Sequence, residues 1–214
     1  MKYILIVLSV ILIIYWIVPT YLHLKEDNKK PAAIWVKALG TMIAVAFGIA
    51  GALLHPGPQT YLILLGLFFG LLGDIFLELF VPLGGLAFFL GNAIYVYCMI
   101  VKEPLKSINY LLFLIILLFL LANFGKDFKT LLQDHIFFLP YALLVALMAS
   151  VAIPYILLQS QAGLLFGFGA FLFAISDYLL GYRILYKASS QFHRVSLGIY
   201  YLAQLCIGVS IFLS

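Results

Sequence analysis

Eight long apolar runs, separated by short polar connections, limit the fold of this chain more than any other feature. To within a few residues, the runs are Tyr3–Leu22, Ile34–Leu54, Tyr61–Val81, Gly84–Val101, Ile108–Phe124, Ile136–Leu158, Gly163–Tyr182 and Val195–Leu213. A helix needs about 20 predominantly apolar residues to cross a bilayer. We therefore predict an all-α integral membrane protein in which residues 1–214 form a single domain of eight transmembrane helices.

The composition excludes an ordinary soluble protein. Hydrophobic residues make up 66% and charged residues 9% of the 214 residues, whereas soluble domains have about 45–50% and 25%. Cys98 and Cys206 lie inside apolar runs without the spacing of a metal site, so we expect core residues rather than a disulfide. The first run is too long for a signal peptide and lacks a small-residue cleavage site, so we predict that it is a membrane helix.

The polar connections predict both turns and orientation. Turn-forming residues occur at 25–31, 55–58 and 82–85. The basic residues that follow runs 1, 5 and 7 are Lys25, Lys29, Lys30, Lys126, Lys129, Arg183, Lys187 and Arg194. The opposite side has Lys2, Lys102 and Lys106. Because basic residues concentrate on the cytoplasmic side, we predict a multi-pass protein of a bacterial inner membrane with both termini outward, and no nucleic-acid partner.

A short pattern occurs twice in the chain. Gly66–Leu77 and Gly169–Leu180 each contain a glycine, a phenylalanine two residues later, an aspartate after five more residues, and a leucine three residues beyond it. The two copies are 103 residues and four helices apart. This spacing predicts two parallel four-helix halves related by an axis along the membrane normal, unless the likeness is a chance similarity of apolar helices.

Three acidic residues lie inside the apolar runs, at Asp74, Glu78 and Asp177. A carboxylate at the bilayer centre costs about 2.5–3.5 kcal/mol on insertion scales, so such residues usually face the bundle interior and mark a functional site. Structural hydrogen bonds between helices are the alternative. Asp74 and Glu78 are one turn apart on one helix face, and Glu78, which is nearer the interface, ranks below the two aspartates.

Other polar residues of the runs fall at a similar depth. Counted along each predicted helix, they are Lys37 in helix 2, Asn92 and Tyr95 in helix 4, and Tyr200, Tyr201 and Gln204 in helix 8. At about 1.5 Å per residue, these side chains share one layer with Asp74 and Asp177, displaced toward the cytoplasmic leaflet. We predict that they line one polar pocket.

The sequence disfavours metal and serine chemistry. All four histidines lie in connections or near helix ends, at His23, His55, His135 and His193, and no pair has the spacing of a helical zinc site. A G-x-S-x-G motif does not occur. We therefore expect neither a metal nor a cofactor, and carboxylate chemistry remains.

Four segments closely resemble the YhhN-like lysoplasmalogenase family of eight-helix membrane proteins. The segments are LLGLFFGLLGDIFLEL in helix 3, FFLGNAIYVY in helix 4, GAFLFAISDYLL in helix 7 and IYYLAQLCIG in helix 8. Members of this family hydrolyse the vinyl ether bond of lysoplasmalogen to a fatty aldehyde and glycerophosphocholine or glycerophosphoethanolamine. The resemblance implies the same reaction, with a lysophospholipid and the bilayer as partners, and leaves the oligomeric state open.

The resemblance also assigns residues. It places the family's aspartates at Asp74 and Asp177, and its Y-Y-x-A-Q motif at residues 200–204. It places the helix-2 lysine at Lys37, although Ala38 follows where the family usually has proline, so that Lys30-Pro31 is an alternative match. Asn92 stands where the family usually has histidine, which removes any proton transfer by that side chain.

Vinyl ether hydrolysis requires a proton donor and an anion. Two carboxyls in a low-dielectric pocket cannot easily both ionise, so one aspartate is expected to donate the proton while the other stabilises the oxocarbenium ion. Glycosidases divide the work between two carboxyls in the same way. Lys37, and after it Arg183, are expected to bind the lipid phosphate near the cytoplasmic interface; the alternative is that either side chain only extends to the interface. A proton-coupled transporter of small solutes and an inactive structural relative are the alternative functions.

Overall fold

The computed structural model of the chain describes residues 2–125, 138–158, 160–186 and 189–214. Within these ranges the secondary structure is helical, without strands. The helices are α1 (Lys2–Glu26), α2 (Lys30–Leu54), α3 (Pro58–Leu79), α4 (Val81–Lys102), α5 (Ser107–Phe124), α6 (Phe138–Leu158), α7 (Gln161–Tyr186) and α8 (Ser190–Phe212). All eight contain a segment long and apolar enough to cross a membrane, which confirms the predicted fold class.

Proline begins three of the helices, and this corrects one predicted connection. Pro31, Pro58 and Pro82 each occupy one of the first two positions of a helix, where the missing N–H costs nothing and the fixed φ angle suits the helix. Residues 82–85 were predicted to form a loop, but they belong to the first turns of α4. A single residue, Phe80, separates α3 from α4.

Several helices extend beyond the apolar runs. Residues 183–186 continue α7 past its predicted end at Tyr182, and the polar or aromatic residues 190–194 begin α8 before its predicted start at Val195. Ser189 accepts a hydrogen bond from the backbone N–H of Phe192 and caps α8. The predicted start of helix 6 at Ile136 lies outside the described residues. So do three residues of the charge count, Lys126, Lys129 and Lys187.

Helix α1 contains a π-helical segment, Ile13–Ile17. Before it, Lys2–Leu12 has no buried residue. After it, Tyr21 and Leu22 are buried against the bundle. A π turn adds one residue to the helical repeat and thereby changes which side chains face a neighbouring helix. The second half of α1 therefore packs on the bundle and brings Tyr21 to its interior.

Six helices form a ring in the order α2, α3, α4, α6, α7 and α8, with α8 packed back against α2. Outside the ring, α1 packs on α2, and α5 packs on α6. The first four helices and the last four thus have the same order of neighbours. This arrangement agrees with the two four-helix halves expected from the repeated pattern.

Small residues bring α2 and α8 into close contact. A Cβ atom at Gly208 would overlap the carbonyl oxygen of Ala44, and a Cβ at Gly51 would lie 2.5 Å from the carbonyl carbon of Ile211. Glycine at these positions therefore permits the two backbones to approach, as is common between membrane helices. The close approach places Thr41 of α2 beside Tyr200 of α8, with 3.2 Å between their hydroxyl oxygens.

Candidate active site

Asp74 lies in α3, and its carboxylate is 1% exposed. Its Oδ2 accepts hydrogen bonds from the hydroxyl of Thr41 and from the Tyr200 hydroxyl, the latter at 2.8 Å. The ammonium of Lys37 in α2 lies 3.7 Å from the other oxygen, Oδ1. A cation at this distance stabilises the negative charge of the carboxylate. Asp74 therefore belongs to a buried ion pair braced by two hydroxyl groups.

Tyr200 and Lys37 are themselves held in place. Gln204, one turn further along α8, donates a hydrogen bond from Nε2 to the Tyr200 hydroxyl at 3.1 Å. The hydroxyl of Tyr201 donates to the backbone carbonyl of Lys37 at 2.9 Å. Gly70 leaves room for Gln204, because a Cβ there would overlap the Gln204 amide nitrogen. These contacts hold the Tyr200 hydroxyl that faces Asp74 and the backbone of α2 at Lys37.

Asp177 lies in α7 and is also buried. Its Oδ2 accepts hydrogen bonds from Nδ2 of Asn92 at 2.7 Å and from the hydroxyl of Tyr141 at 2.8 Å. Both donors are neutral. Within the described ranges, no lysine, arginine or histidine nitrogen lies within 4 Å of the Asp177 carboxylate.

The two aspartates occupy corresponding places in the two halves of the bundle. Asp74 in α3 accepts hydrogen bonds from residues of α2 and α8, and Asp177 in α7 accepts hydrogen bonds from residues of α6 and α4. In the order of helices within each half, α6 corresponds to α2, and α4 corresponds to α8. The difference is the charge nearby, because Lys37 accompanies Asp74 and has no counterpart beside Asp177 among the described residues. Related backbone positions thus hold one aspartate with a cation and one without.

Both aspartates line a single cleft at one end of the ring. The cleft has about 390 Å³ of empty space, counting the part that is open to the outside. Its lining residues are Lys37, Asp74, Leu77, Phe88, Ser176, Asp177, Leu180, Arg183, His193, Ser196, Leu197 and Tyr200. The walls are therefore partly apolar, and the charged groups lie on α2, α3 and α7.

Glu78 lies one turn beyond Asp74 and forms ion pairs with two lysines. Its Oε1 accepts a 2.6 Å hydrogen bond from Tyr21 and lies 3.3 Å from the ammonium of Lys37. Its Oε2 lies 2.9 Å from the ammonium of Lys25. Glu78 thus pairs with both lysines and links α1 and α2 to α3 beside the cleft.

The structure brings most of the predicted site residues together. Lys37, Asp74, Asp177 and Tyr200 line the cleft, whereas Asn92, Tyr201, Gln204 and Glu78 contact those residues directly. Tyr95, which was also expected in the pocket, does not line the cleft. It is fully buried and packs edge-on against Phe166 and Phe173, and in the described part of the chain its hydroxyl has no hydrogen-bond partner.

Sequence reasoning missed several residues of the site, namely Tyr21, Lys25, Thr41, Phe88, Tyr141 and His193. Thr41 could have been predicted from the sequence, because it follows Lys37 by four residues and lies on the same helix face. Tyr141 lies in α6, which has no acidic residue in its described part, and an isolated tyrosine in an apolar helix carries little signal. Tyr21 and Lys25 could not be placed from a regular helical repeat, because the π turn before them changes which side chains of α1 face the bundle.

The donor set does not resemble a metal centre. No group of three or more histidine, cysteine, aspartate or glutamate side chains capable of holding a metal ion occurs among the residues that the structure describes. The site instead contains one carboxylate beside an ammonium group and one carboxyl held by neutral donors. Such a pair can hold a negative charge and a transferable proton in the same cleft.

Comparison with protein-family models shows a match over most of the chain. The model of the YhhN family matches residues 34–211 of the chain, from the first turns of α2 to the last turn of α8. No curated protein and no solved structure matches significantly.

Proposed function

Because the chain belongs to the YhhN family, which includes lysoplasmalogenases, we propose that it hydrolyses the vinyl ether bond of lysoplasmalogens. The products are a fatty aldehyde and glycerophosphocholine or glycerophosphoethanolamine. The observation that carries this proposal is the pair of buried aspartates in one cleft, of which Asp74 alone lies close to a cation.

In this mechanism Asp177 is the proton donor. Its Oδ2 is occupied by the Asn92 and Tyr141 donors, so that Oδ1 is the oxygen available to hold a proton toward the cleft. Neutral donors allow the protonated carboxyl, whereas a nearby cation would favour its ionised form. The proton is transferred to the β-carbon of the vinyl ether, and the π electrons of the double bond form the new C–H bond. The α-carbon and the ether oxygen then share the positive charge of an oxocarbenium ion.

Asp74 supplies the negative charge in this mechanism. Lys37 keeps it ionised, and the carboxylate stabilises the oxocarbenium ion across the cleft. Its Oδ1 is buried and accepts no hydrogen bond from the described residues, and in this mechanism it accepts a proton from the attacking water. Water adds to the α-carbon to give a hemiacetal. As the C–O bond to glycerol breaks, Asp74 passes its proton to the leaving glycerol oxygen and the hemiacetal hydroxyl gives its proton to Asp177. The aldehyde and the alcohol are released, and both carboxyl groups regain their starting states.

The cleft also suits the rest of the substrate. Leu77, Phe88, Leu180 and Leu197 give it an apolar wall for the alkenyl chain. We propose that the cleft faces the cytoplasm in a bacterial inner membrane, with both termini outward. The excess of lysine and arginine at this end of the helices supports that orientation.

The test is aldehyde release from purified protein in detergent micelles with a lysoplasmalogen substrate. The variants are Asp74→Asn and Asp177→Asn, which keep the side-chain shape and remove the acid. Asp27→Asn is the matched control, because Asp27 lies in the exposed turn after α1. We expect each site variant to lose at least about 100-fold in kcat, the scale of general acid catalysis, and the control to equal the wild type.

Full activity in both site variants would refute the two-aspartate mechanism. Absence of aldehyde from folded wild-type protein would refute the lysoplasmalogenase proposal itself. Proton-dependent solute uptake by the same protein in vesicles would then favour the transporter alternative.

A further inference from the structure

Among the residues that the structure describes, Arg183 is the cation of the cleft with no acidic group within 4 Å. It lies in α7, is partly exposed and lines the cleft that contains both aspartates. In contrast, Lys25 and Lys37 each lie within 4 Å of Glu78. Across the described ranges, Arg183 makes no ion pair within 4 Å and no hydrogen bond. Glu78 and the Tyr21 hydroxyl face it from a greater distance. The guanidinium is therefore free to bind an anion.

The charge balance at this end of the cleft also favours an anion. With Asp177 protonated, as the proposed mechanism requires, three cations among the described residues (Lys25, Lys37 and Arg183) accompany two carboxylates, those of Asp74 and Glu78. One excess positive charge remains on the side of Arg183, and the single negative charge of a phosphodiester would balance it. Arginine suits this role, because its planar guanidinium donates two parallel hydrogen bonds to phosphate oxygens.

His193 adds a second polar group beside Arg183. It lies in the first turn of α8, lines the same cleft and is held edge-on against the ring of Tyr21, with 5.8 Å between the ring centres. Its ring nitrogens can donate or accept a hydrogen bond. A phosphate between α7 and α8 would therefore meet a cation from one helix and an imidazole from the other.

The spacing along α7 matches the dimensions of a lysoplasmalogen. Arg183 follows Asp177 by six residues, which is about 9 Å along the helix axis. In the lipid, seven bonds join the vinyl β-carbon to the phosphorus atom, and an extended chain of that length spans about 8.5 Å. A phosphate at Arg183 would thus place the β-carbon at the level of the Asp177 carboxyl, where the proposed proton transfer takes place.

We infer that Arg183, assisted by His193, binds the phosphate of a lysophospholipid and thereby sets the position of the vinyl ether against Asp177. This inference rests on the proposed function. It assigns a phosphate-binding role to α7 and α8, whereas the two lysines on α1 and α2 serve Glu78 and Asp74.

The experiment compares two substrates that share the vinyl ether. One is a lysoplasmalogen, and the other is the corresponding alkenylglycerol, which has no phosphate. The variants are Arg183→Gln and, as a matched control, Arg194→Gln, because Arg194 is exposed and does not line the cleft. Arg183→Gln is expected to raise the KM for lysoplasmalogen about 10- to 100-fold, the effect of losing hydrogen bonds to a charged group. Its kcat/KM for alkenylglycerol should equal that of the wild type. Arg194→Gln should leave the kinetic constants for both substrates unchanged.

Equal losses with both substrates would overturn the inference, because Arg183 would then act on the fold rather than on the phosphate. An unchanged KM for lysoplasmalogen would also overturn it. A binding measurement separates this inference from the proposed reaction: a saturated alkyl ether lysophospholipid cannot be hydrolysed by protonation of a double bond. Its binding should raise the thermal unfolding temperature of the wild type and not that of Arg183→Gln, even if no aldehyde is ever released.

Inorganic phosphate identifies the source of the anion. If it inhibits the wild type at the concentrations at which the ether lipid does, the site recognises free phosphate, and the assignment to a lipid is overturned. Weak inhibition by inorganic phosphate together with strong inhibition by the ether lipid, lost in Arg183→Gln, is the expected result.

Discussion

Gly70→Ala tests whether Gln204 and Tyr200 must be held in place for Asp74 to work. A methyl group at residue 70 would overlap the Gln204 amide nitrogen and lie 3.2 Å from its carbon Cδ. Ordinary contacts between carbon atoms are about 3.5–4.0 Å, so the amide must move on the order of 1 Å. Gln204 is fully buried, and this displacement would break its 3.1 Å hydrogen bond to Tyr200.

The expected stability change is small because two effects offset each other. Alanine is more favourable than glycine in a helix by about 1 kcal/mol, and loss of the Gln204 to Tyr200 hydrogen bond costs about the same. Gly198→Ala is the matched control, since a Cβ there meets nothing within 4 Å. Gly198→Ala should gain only the higher helix propensity of alanine, which raises the unfolding temperature by about 2–4 °C for a chain of this size.

The assays are thermal unfolding in detergent and aldehyde release. Gly70→Ala should unfold at or below the wild-type temperature and lose about 10- to 100-fold in kcat, because a 1 Å misplacement near the reacting groups has effects of that order. Gly198→Ala should be more stable than the wild type, with unchanged activity. If Gly70→Ala gains as much stability as the control and keeps full activity, the reasoning is refuted.

Three further variants examine the charged and neutral partners. Lys37→Gln should lower stability by about 3–5 kcal/mol in thermal or denaturant unfolding, because it leaves the buried Asp74 carboxylate without a cation within 4 Å; an unchanged transition would contradict the ion pair. Glu78→Gln should cost less in the same assay, since Lys37 retains Asp74 as a partner, and a larger loss than in Lys37→Gln would reverse the assigned order. Tyr141→Phe removes one donor to Asp177 and should lower kcat about fivefold, a loss of about 1 kcal/mol, with little change in KM; a change confined to KM would show that Tyr141 acts on binding instead.

The sequence predicts the membrane fold well because the cost of burying polar groups in lipid is large. Runs of about 20 apolar residues have few alternatives to a spanning helix. For the same reason Asp74 and Asp177 are easy to find, since an acidic residue inside such a run requires a partner or a polar cavity. The structure places both in one cleft, as the depth argument predicts.

The neutral members of the site are harder to predict, because their effect depends on tertiary contacts. A threonine or tyrosine in a membrane helix is inexpensive whether or not it meets an aspartate, so nothing in the sequence distinguishes Tyr141, which contacts Asp177, from Tyr95, which lies outside the cleft. Helix ends are a second difficulty. His193 precedes the apolar run that starts at Val195, yet α8 begins at Ser190 and places His193 in the cleft.

The exchange of donors between the two halves has a consequence for assembly. Asp74 receives one hydrogen bond from its own half, through Thr41, and one from the other half, through Tyr200. Asp177 likewise receives one from Tyr141 in its own half and one from Asn92 in the other. A chain cut in the connection between α4 and α5 would therefore give two fragments that each contain one incompletely held aspartate. Aldehyde release is expected when the fragments are produced together and from neither alone, so the bundle should behave as a heterodimer joined by a linker.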